Sequence, residues 1–303
     1  MIDQAVRILR AGGLVAFPTE TVYGLGADAR NEKAVRRIFA VKGRPAGHPL
    51  IVHLSDRARL DEWGEMTPTA LKLAKAFWPG PMTIIVKRRD VPDVVTGGLE
   101  TVGLRVPSHP MALDLLRAFD GGIAAPSANR FGKVSPTTAA HVLADLGGDV
   151  DLILDGGPCA VGVESTIVDC SGETAILRPG GVTREAIERL IGPIGLGGST
   201  QAPGTLATHY APRARVVLAT EETAAAQARG FTGRVVVMSR RDPGGVEWRA
   251  LPGTPEGAAR DLYAMLRQAD ADGFDAVVVA LPPEEGLGLA VADRLRKAAG
   301  PRE

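Results

Sequence analysis

Three hydrogen-bonding side chains directly follow a short apolar segment near the N-terminus. Residues 14–17 are apolar and end at Pro18, and the chain continues with Thr19, Glu20 and Thr21. Ligands of α/β folds dock where strands end, so these side chains are suited to a binding site. Threonine and glycine are also common in turns, and a turn with a helix cap explains the same segment equally well.

A second candidate site is the basic segment that begins at Lys42, followed by Gly43, Arg44 and Pro45. Pro45 favours an extended conformation at Arg44. A fork-shaped guanidinium beside a compact ammonium suits a polyphosphate. Lysine is scarce in this chain, with seven of the 35 basic residues. A lysine inside a dense polar motif therefore favours a functional role over an ordinary solvated loop.

A third candidate lies after the small residues 121–125. Ser127 and Asn129 are two positions apart, which places them on one side of an extended chain. The two side chains offer both donors and acceptors. A turn that ends the strand is the alternative interpretation.

Other polar residues flank predicted strands. Ser165 precedes one strand and Arg178 ends another, while Thr101 and Arg105 share a face at positions i and i+4. An arginine in an apolar strand needs a partner, and the carboxylate of a ligand would serve.

Composition and missing motifs exclude several classes of protein. The 303 residues have a formal net charge of zero, which argues against a coat for nucleic acid or a membrane-surface binder. There is no Walker A loop, dinucleotide fingerprint, nucleophile elbow or zinc-type Cys/His spacing. Cys159 and Cys170 are interpreted as small buried hydrophobic residues.

Alternating apolar segments and helical patterns predict a compact α/β unit in the first 190 residues. The predicted helices span 2–9, 34–40, 68–77, 136–145 and 183–190. The predicted strands span 14–17, 50–54, 82–86, 102–106, 122–125, 152–154, 166–168 and 175–177, and the last two form a pair.

The composition changes at residue 191, where glycine and proline become frequent. Such a long segment without regular structure indicates a linker or a lid. It carries His209 and Tyr210, which serve either as part of a polar lid or as a hydrophobic anchor. Valine-rich strands at 215–218, 235–238 and 276–280, with helices at 255–268 and 289–298, then predict a small parallel-sheet domain. The predicted domains are therefore 1–190, a linker or lid at 191–212, and 213–303.

The N-terminal residues lack the apolar stretch of a secretory signal, and no apolar run approaches the ~20 residues that span a bilayer. We therefore expect a cytoplasmic protein without membrane contact.

Taken together, the motifs resemble the threonylcarbamoyl-AMP synthase family, whose catalytic unit is the YrdC-like domain. The resemblance depends on seven motifs in the correct order, and the C-terminal part resembles the long form of that family. The motifs are Pro18 to Leu25, Lys42-x-Arg44 with Ser127-x-Asn129, Trp78-Pro79-Gly80-Pro81, Ser135-Pro136-Thr137, Glu164-Ser165-Thr166 and Arg178-Pro179-Gly180, with the linker and the valine-rich strands after them.

The resemblance implies a twisted YrdC-like α/β sheet domain with a large basic concave cavity, plus a small Rossmann-like parallel-sheet C-terminal domain. It implies synthesis of L-threonylcarbamoyl-AMP and pyrophosphate from L-threonine, bicarbonate or CO2, and ATP. A downstream tRNA threonylcarbamoyl transferase then modifies position 37 of tRNA, and weak binding of RNA is compatible with this role.

The resemblance also implies roles for individual residues, with Lys42 and Arg44 as the catalytic pair. The expected ATP-binding residues are Lys42, Arg44, His48, Thr101, Asn129, Ser135, Thr137, Arg178 and Tyr210. The expected threonine-binding residues are Thr21, His53, Arg105, Ser127 and Ser165. Mg2+ is expected to accompany ATP, and the sequence singles out no ligand for it.

Two other functions stay open at this point. A double-stranded RNA-binding or ribosome-assembly factor would use the same basic cavity for phosphates, although zero net charge and few aromatic residues oppose this. A carbamoyl-AMP-forming carbamoyltransferase shares this type of domain but carries additional modules. Two segments depart from the family. Pro203-Gly204 is followed by Thr205-Leu206-Ala207-Thr208, without the methionine and the basic residues that the family often has before the histidine, and Phe131 stands where a serine is usual.

Overall fold

The computed structural model describes residues 1–205 and 209–301, and the chain in it divides into two compact units. The first unit comprises Met1–Phe131 and Pro136–Thr205. The second comprises Gly132–Ser135 and the described residues from position 209 onward. Residues 206–208 of the predicted linker and residues 302–303 of the predicted C-terminal domain lie outside the described residues. The domain boundaries inferred from the sequence stay a prediction.

The first unit is a mixed α/β structure built on one sheet. Its helices are α1 (Ile2–Arg10), α2 (Glu32–Lys42), α3 (Pro68–Phe77), α4 (Asp93–Thr96), α5 (Pro110–Phe119), α6 (Ala139–Leu146) and α7 (Arg184–Ile191). Its strands are β1 (Val15–Phe17), β2 (Gly24–Asp28), β3 (Ile51–His53), β4 (Gly64–Glu65), β5 (Met82–Arg88), β6 (Thr101–Arg105), β7 (Ile123–Ala124), β8 (Leu152–Ile153), β9 (Thr166–Asp169), β10 (Ala175–Arg178) and β11 (Gly195–Leu196).

The order of the strands brings distant motifs to neighbouring positions. The sheet runs β11-β10-β9-β5-β6-β3-β7-β2-β1-β8, with β4 paired to β5. Strands β3 and β6 are parallel, and His53 lies opposite Arg105. The centre of the sheet is therefore formed by strands that carry or precede the predicted site residues.

Several predicted elements are confirmed. Helix α3 has the predicted bounds because the Thr67 side chain accepts a hydrogen bond from Ala70 N and Pro68 occupies the first turn. Strands β9 and β10 form the predicted pair and are antiparallel.

Other predictions are wrong. Helix α6 begins at Ala139 rather than at residue 136, because Thr138 is extended and caps the helix through His141 N. Helix α5 and strand β2 were not predicted. Helix α5 nevertheless has Pro110 in its first turn and buries Ala112, Leu115, Leu116 and Phe119. The predicted linker is not structureless throughout, since β11 pairs with β10 in parallel.

The second unit has an all-parallel sheet, as predicted. Its strands are β12 (Arg215–Ala219), β13 (Val235–Ser239), β14 (Glu247–Ala250) and β15 (Ala276–Ala280), in the order β12-β15-β13-β14. Its helices are α8 (Ala224–Arg229), α9 (Pro255–Ala271) and α10 (Gly288–Ala298). Helix α8 and strand β14 were absent from the prediction. Strand β14 has no fully buried residue, so it lacks the apolar pattern of the other three strands.

In the described part of the chain, no helix is both long and apolar enough to cross a membrane.

Candidate active site

The loop between β1 and β2 is held by its own hydroxyl groups. Thr19 Oγ1 accepts hydrogen bonds from Thr21 N and Val22 N, both at 3.2 Å, and donates to the carbonyl oxygen of Val22 at 2.6 Å. For Thr19 the turn interpretation is therefore correct. Thr21 Oγ1, in contrast, accepts a 2.9 Å hydrogen bond from Arg105 Nη2.

The Ser127 segment lies against this loop. Ala128 N donates to the carbonyl oxygen of Tyr23 at 2.8 Å, and Leu25 N donates to that of Pro126 at 2.9 Å. Gly24 and Ser127 form an isolated antiparallel bridge between these two bonds. The segment that carries Thr19 to Thr21 and the segment that carries Ser127 are thus joined through their backbones.

Lys42 connects its own basic segment to the segment that carries Ser127 and Asn129. Its Nζ donates to the carbonyl oxygen of Ser127 at 2.6 Å and also to that of Asn129. The side chain is buried at the end of α2, where Gly43 adopts a positive φ of 64° and turns the chain. Burial lowers the pKa of the Lys42 ammonium well below its ordinary value, and neighbouring Arg44 lowers it further.

Arg44, His48 and Phe131 form a cluster beside Lys42. Arg44 Nη2 donates to the carbonyl oxygen of Pro49 at 3.0 Å. The guanidinium carbon lies 5.7 Å from the centre of the Phe131 ring, and the His48 ring meets the same ring edge-on at 5.4 Å. Burial and the charge of Arg44 lower the pKa of His48. The Phe131 ring therefore packs directly against two predicted ATP-binding residues.

Arg105 forms a buried ion pair inside the protein. Its Nη2 donates to Glu20 Oε1 at 2.7 Å, and both side chains are less than a tenth exposed. The partner that Arg105 requires in its apolar strand is thus Glu20, whereas the sequence suggested the carboxylate of a ligand. Within the described residues, Arg105 Nε has no hydrogen-bond partner.

His53 lies beside Arg105 in the sheet and is uncharged at neutral pH. Burial, reinforced by the charge of Arg105, lowers the pKa of His53 to about 3. Its Nδ1 is buried and meets no hydrogen-bonding group in residues 1–205 and 209–301. A neutral imidazole there can exchange hydrogen bonds with a ligand, but it is a poor proton acceptor.

Ser165, which precedes β9, and Arg178 of β10 come together on the other side of β5 in the sheet. Arg178 donates to the carbonyl oxygen of Ser165 from Nε at 3.2 Å and from Nη2 at 2.8 Å, and to Ser165 Oγ at 3.1 Å. Arg178 Nη1 also donates to the carbonyl oxygen of Pro203 at 3.0 Å. A Cβ at Gly180 would lie 2.3 Å from the carbonyl oxygen of Glu164, so the third residue of this motif must be small.

Thr83 links this group to the centre of the sheet. Its Oγ1 lies 2.8 Å from Ser165 Oγ. Strands β5 and β6 are antiparallel with Ile84 opposite Leu104, which places Thr83 and Arg105 at the next positions of the two strands. A small cavity lies nearby in the same unit, lined in part by Thr83, Thr101 and Gln201.

The remaining predicted residues divide between the two units. Asn129 and Thr137 are buried in the first unit; Asn129 Nδ2 donates to the carbonyl oxygen of Arg130 at 2.7 Å, and Thr137 N donates to His141 Nδ1 at 3.2 Å. Ser135 belongs to the second unit, where Arg267 Nε donates to its carbonyl oxygen at 3.4 Å.

Tyr210 also lies in the second unit, in a cluster of rings. It is buried, has a positive φ of 62°, and stacks on Tyr263 with ring centres 5.9 Å apart. The Arg294 guanidinium lies 5.1 Å from the Tyr210 ring. This packing matches the anchor interpretation of the segment, and the lid role stays a prediction.

Sequence reasoning missed the contributions of Glu20 and Thr83. Glu20 stood within a motif that was noticed, but its partner Arg105 is 85 positions away. Thr83 is a fully buried hydroxyl in an otherwise apolar strand, and that position was a signal that could have been used.

The described residues contain no group of three or more His, Cys, Asp or Glu side chains that could hold a metal ion. The site is instead rich in cations, with Lys42, Arg44, Arg105 and Arg178 all buried. Such a set is suited to anionic ligands rather than to a resident metal.

Comparison with known proteins matches both parts of the chain. Residues 7–180 match the family model described as "Telomere recombination", and residues 182–300 match the one described as "Threonylcarbamoyl-AMP synthase, C-terminal domain". The threonylcarbamoyl-AMP synthase of Pyrococcus abyssi is 43% identical over 98% of this chain and 94% of its own length. The one from Bacillus subtilis is 43% identical over 99% of this chain and 93% of its own length.

A solved structure agrees with these relatives. The crystal structure of P. abyssi Sua5 complexed with L-threonine aligns with a TM-score of 0.93 and 43% identity, covering 98% of this chain and 94% of that one. Together with the mixed sheet and its cationic site, these likenesses define a nucleotidyltransferase-type enzyme. The chain belongs to the threonylcarbamoyl-AMP synthase family.

Proposed function

We propose that this protein makes L-threonylcarbamoyl-AMP and pyrophosphate from L-threonine, bicarbonate or CO2, and ATP. The observation that carries the proposal is the hydrogen bonding of Lys42 Nζ to the carbonyls of Ser127 and Asn129. It joins the two halves of the family's signature at one place in a cation-rich site. The family membership and the threonine complex of the P. abyssi relative support the choice of substrate.

The reaction asks the protein mainly to position small reactants. The neutral amine of threonine attacks the carbon of CO2 and loses a proton, which gives a carbamate. A carbamate oxygen then attacks the α-phosphorus of ATP, the bond to the β-phosphate oxygen breaks, and pyrophosphate leaves. Binding in a fixed orientation and stabilising negative charge account for catalysis of this kind without a nucleophilic side chain.

The cationic residues are assigned to the phosphates. Lys42 and Arg44 form the catalytic pair that stabilises charge on the triphosphate, and His48 and Arg178 extend this set. Because the Arg178 guanidinium holds Ser165 and Pro203 in the structure, its contribution includes fixing these two segments. Thr101, Asn129, Ser135, Thr137 and Tyr210 complete the proposed ATP-binding set, with Tyr210 as the lid residue.

The second group of residues is assigned to threonine and the carbamate. It contains Thr21, His53, Arg105, Ser127 and Ser165. Arg105 supplies the positive charge for the carboxylate, and the hydroxyl groups supply hydrogen bonds. Since the pKa of His53 is about 3, the amine proton does not stay on this imidazole at neutral pH and passes to solvent or bicarbonate.

Mg2+ would accompany ATP and would supply positive charge to its phosphates when bound, with no ligand from this chain assigned to it. The product then passes to a tRNA threonylcarbamoyl transferase that modifies position 37 of tRNA. We further propose a cytoplasmic enzyme without membrane contact, whose own contact with tRNA is weak.

The test is an assay of product formation with single omissions. The purified protein with ATP, Mg2+, L-threonine and bicarbonate should release pyrophosphate and yield an adenylate with the mass of threonylcarbamoyl-AMP. Omission of threonine or bicarbonate should abolish both signals. ATP turnover that continues unchanged without threonine would contradict the proposal, as would salt-sensitive binding of RNA without any turnover.

A further inference from the structure

Glu20 lies inside the first motif, yet the proposed reaction assigns it no role. Its carboxylate accepts hydrogen bonds from Arg105 Nη2 at Oε1, 2.7 Å away, and from Ser108 N at Oε2, 3.1 Å away. Its own carbonyl oxygen accepts a 2.8 Å hydrogen bond from Val161 N. The side chain is 8% exposed. Both carboxylate oxygens are therefore engaged by groups of the protein, and the residue is fixed in place.

The Arg105 guanidinium is oriented by this arrangement. Nη2 donates to Glu20 Oε1 and to Thr21 Oγ1, which uses both of its N–H groups. The buried Nε has no partner among the described residues. His53 lies directly opposite Arg105 across parallel strands, and its buried Nδ1 also lacks a partner within residues 1–205 and 209–301.

Unpartnered buried polar atoms are uncommon in folded proteins and call for an explanation. Here two of them occur on adjacent strands, one on a cation and one on a neutral imidazole. A ligand with an anionic, hydrogen-bond-accepting group would complete Arg105 Nε, and a neighbouring polar group of the same ligand would complete His53 Nδ1.

We infer that Glu20 is a positioning residue, whose carboxylate holds the Arg105 guanidinium in the orientation that receives the carboxylate of the amino-acid substrate. This inference rests on the proposed function. Arg105 supplies the charge and Glu20 supplies the orientation. Glu20 also balances the charge of Arg105 when no substrate is bound, because a buried unpaired arginine is costly.

The hydrogen bonds of Nη2 limit how Arg105 can recognise a carboxylate. A side-on fork uses Nε together with Nη2, but both N–H groups of Nη2 are occupied in this structure. The substrate carboxylate is therefore received at Nε without the full fork, unless the contact with Thr21 is exchanged. Recognition depends on the fixed direction of one N–H group, and that direction is set by Glu20.

The test compares threonine with L-threonine amide, which lacks the negative charge, in the wild type and in Glu20→Gln. Glutamine keeps one acceptor but presents an amide donor to the donor Ser108 N or to Arg105. In Glu20→Gln we expect KM for threonine to rise about tenfold or more, while KM for ATP changes by less than about twofold. We expect the wild-type preference for threonine over the amide, in kcat/KM, to shrink by about tenfold.

Two further variants sharpen the comparison. Glu20→Asp keeps a buried carboxylate but draws it back from Arg105 by one methylene, so it tests the inference if Glu20→Gln fails to fold, and it should give the same change to a smaller extent. Glu221→Gln is the matched control, because Glu221 accepts from Arg240 Nε at 3.0 Å in the second unit. It should leave both KM values and the preference unchanged.

Each outcome decides one question. An unchanged KM for threonine with an intact preference over the amide in the Glu20 variants would overturn the inference. A lower kcat with both quantities unchanged would overturn it as well, since a purely structural role predicts that result. A wild-type protein that makes no adenylate from threonine would instead contradict the proposed function, so the two failures can be told apart.

Discussion

The ammonium of Lys42 donates a 2.6 Å hydrogen bond to the carbonyl oxygen of Ser127, a residue 85 positions further along the chain. This contact brings together two motifs that the sequence presents as separate features. A predicted ATP-binding residue follows each of them in the sequence: Arg44 follows Lys42, and Asn129 follows Ser127. Lys42 therefore shapes the site as well as supplying charge to it.

Replacing Lys42 by methionine tests this dual role. Methionine keeps an unbranched side chain of nearly the same length but removes the hydrogen bonds to Ser127 and Asn129, and leaves two buried carbonyl groups without that donor. We expect adenylate formation to fall at least about tenfold, equivalent to about 1.4 kcal/mol of transition-state stabilisation. The rate of pyrophosphate release at saturating substrates measures this.

The control for that variant lies on the same helix. Lys33 of α2 is exposed, and Lys33→Met should keep the wild-type rate. A Lys42→Met protein with full activity would show that the link between the motifs is dispensable.

Phe131→Ser removes the ring that packs on Arg44 and His48. A cation–π contact at such a site contributes about 0.5–1 kcal/mol, so KM for ATP should rise by about two- to fivefold. Phe131→Tyr keeps the ring and should keep the wild-type KM. Steady-state kinetics with varied ATP provide the measurement.

The matched control is Phe231→Ser, because the Phe231 ring carries Arg215 at 5.6 Å in the second unit. It removes a similar contact away from the proposed site and should leave KM for ATP unchanged. Equal effects of Phe131→Ser and Phe231→Ser would argue against a specific role for Phe131.

The pKa of about 3 for His53 predicts how stability depends on pH. This value lies below the ordinary 6.5, so the unfolded chain takes up the proton first as the pH falls. The stability contributed by neutral His53 is complete above pH 6.5 and is lost as the pH falls from 6.5 toward 3, by up to about 1.4 kcal/mol per pH unit. The direction follows from a folded state that binds fewer protons than the unfolded one.

An NMR titration of the imidazole resonances checks this prediction. The His53 signal should stay in its neutral position throughout the range in which an ordinary histidine becomes charged. Its assignment follows from the loss of one signal in His53→Gln, and urea unfolding of that variant should depend less on pH between 6.5 and 5 than the wild type. A His53 signal that titrates near 6.5 would contradict the burial argument.

Both cysteines should resist modification in the folded protein. Cys159 and Cys170 are buried free thiols, and burial raises the pKa of each to about 12. Because the thiolate is the reactive form, a thiol-specific reagent at pH 8 should label neither residue in the native state and both in denaturant. Rapid labelling of the native protein would show that one of the two sites opens.

The sequence predicted elements well where local signals were strong. Thr67 with Pro68 marks the start of α3, and the unbroken apolar residues 276–280 coincide with β15. Helix α5 was not predicted, although Pro110 and the spacing of Leu115, Leu116 and Phe119 are local signals for a helix. Strand β2 contains two glycines and an aspartate, which is an atypical composition for a strand.

The partners of the site residues could not be predicted in the same way. The motifs named Thr21, Lys42 and Ser127, but the Arg105–Glu20 pair joins residues 85 positions apart. The Thr83–Ser165 contact spans 82 positions. Such contacts follow from the order of strands in the sheet, and no local pattern of residues encodes that order.

A crystal structure with L-threonine and a non-hydrolysable ATP analogue tests the central claim most directly. We predict phosphate oxygens within hydrogen-bonding distance of Arg44 in the first unit, and the threonine carboxylate at Arg105 Nε with Glu20 still bound to the same guanidinium. A nucleotide bound away from the Lys42–Ser127 junction, or a threonine whose carboxylate does not reach Arg105, would contradict the account.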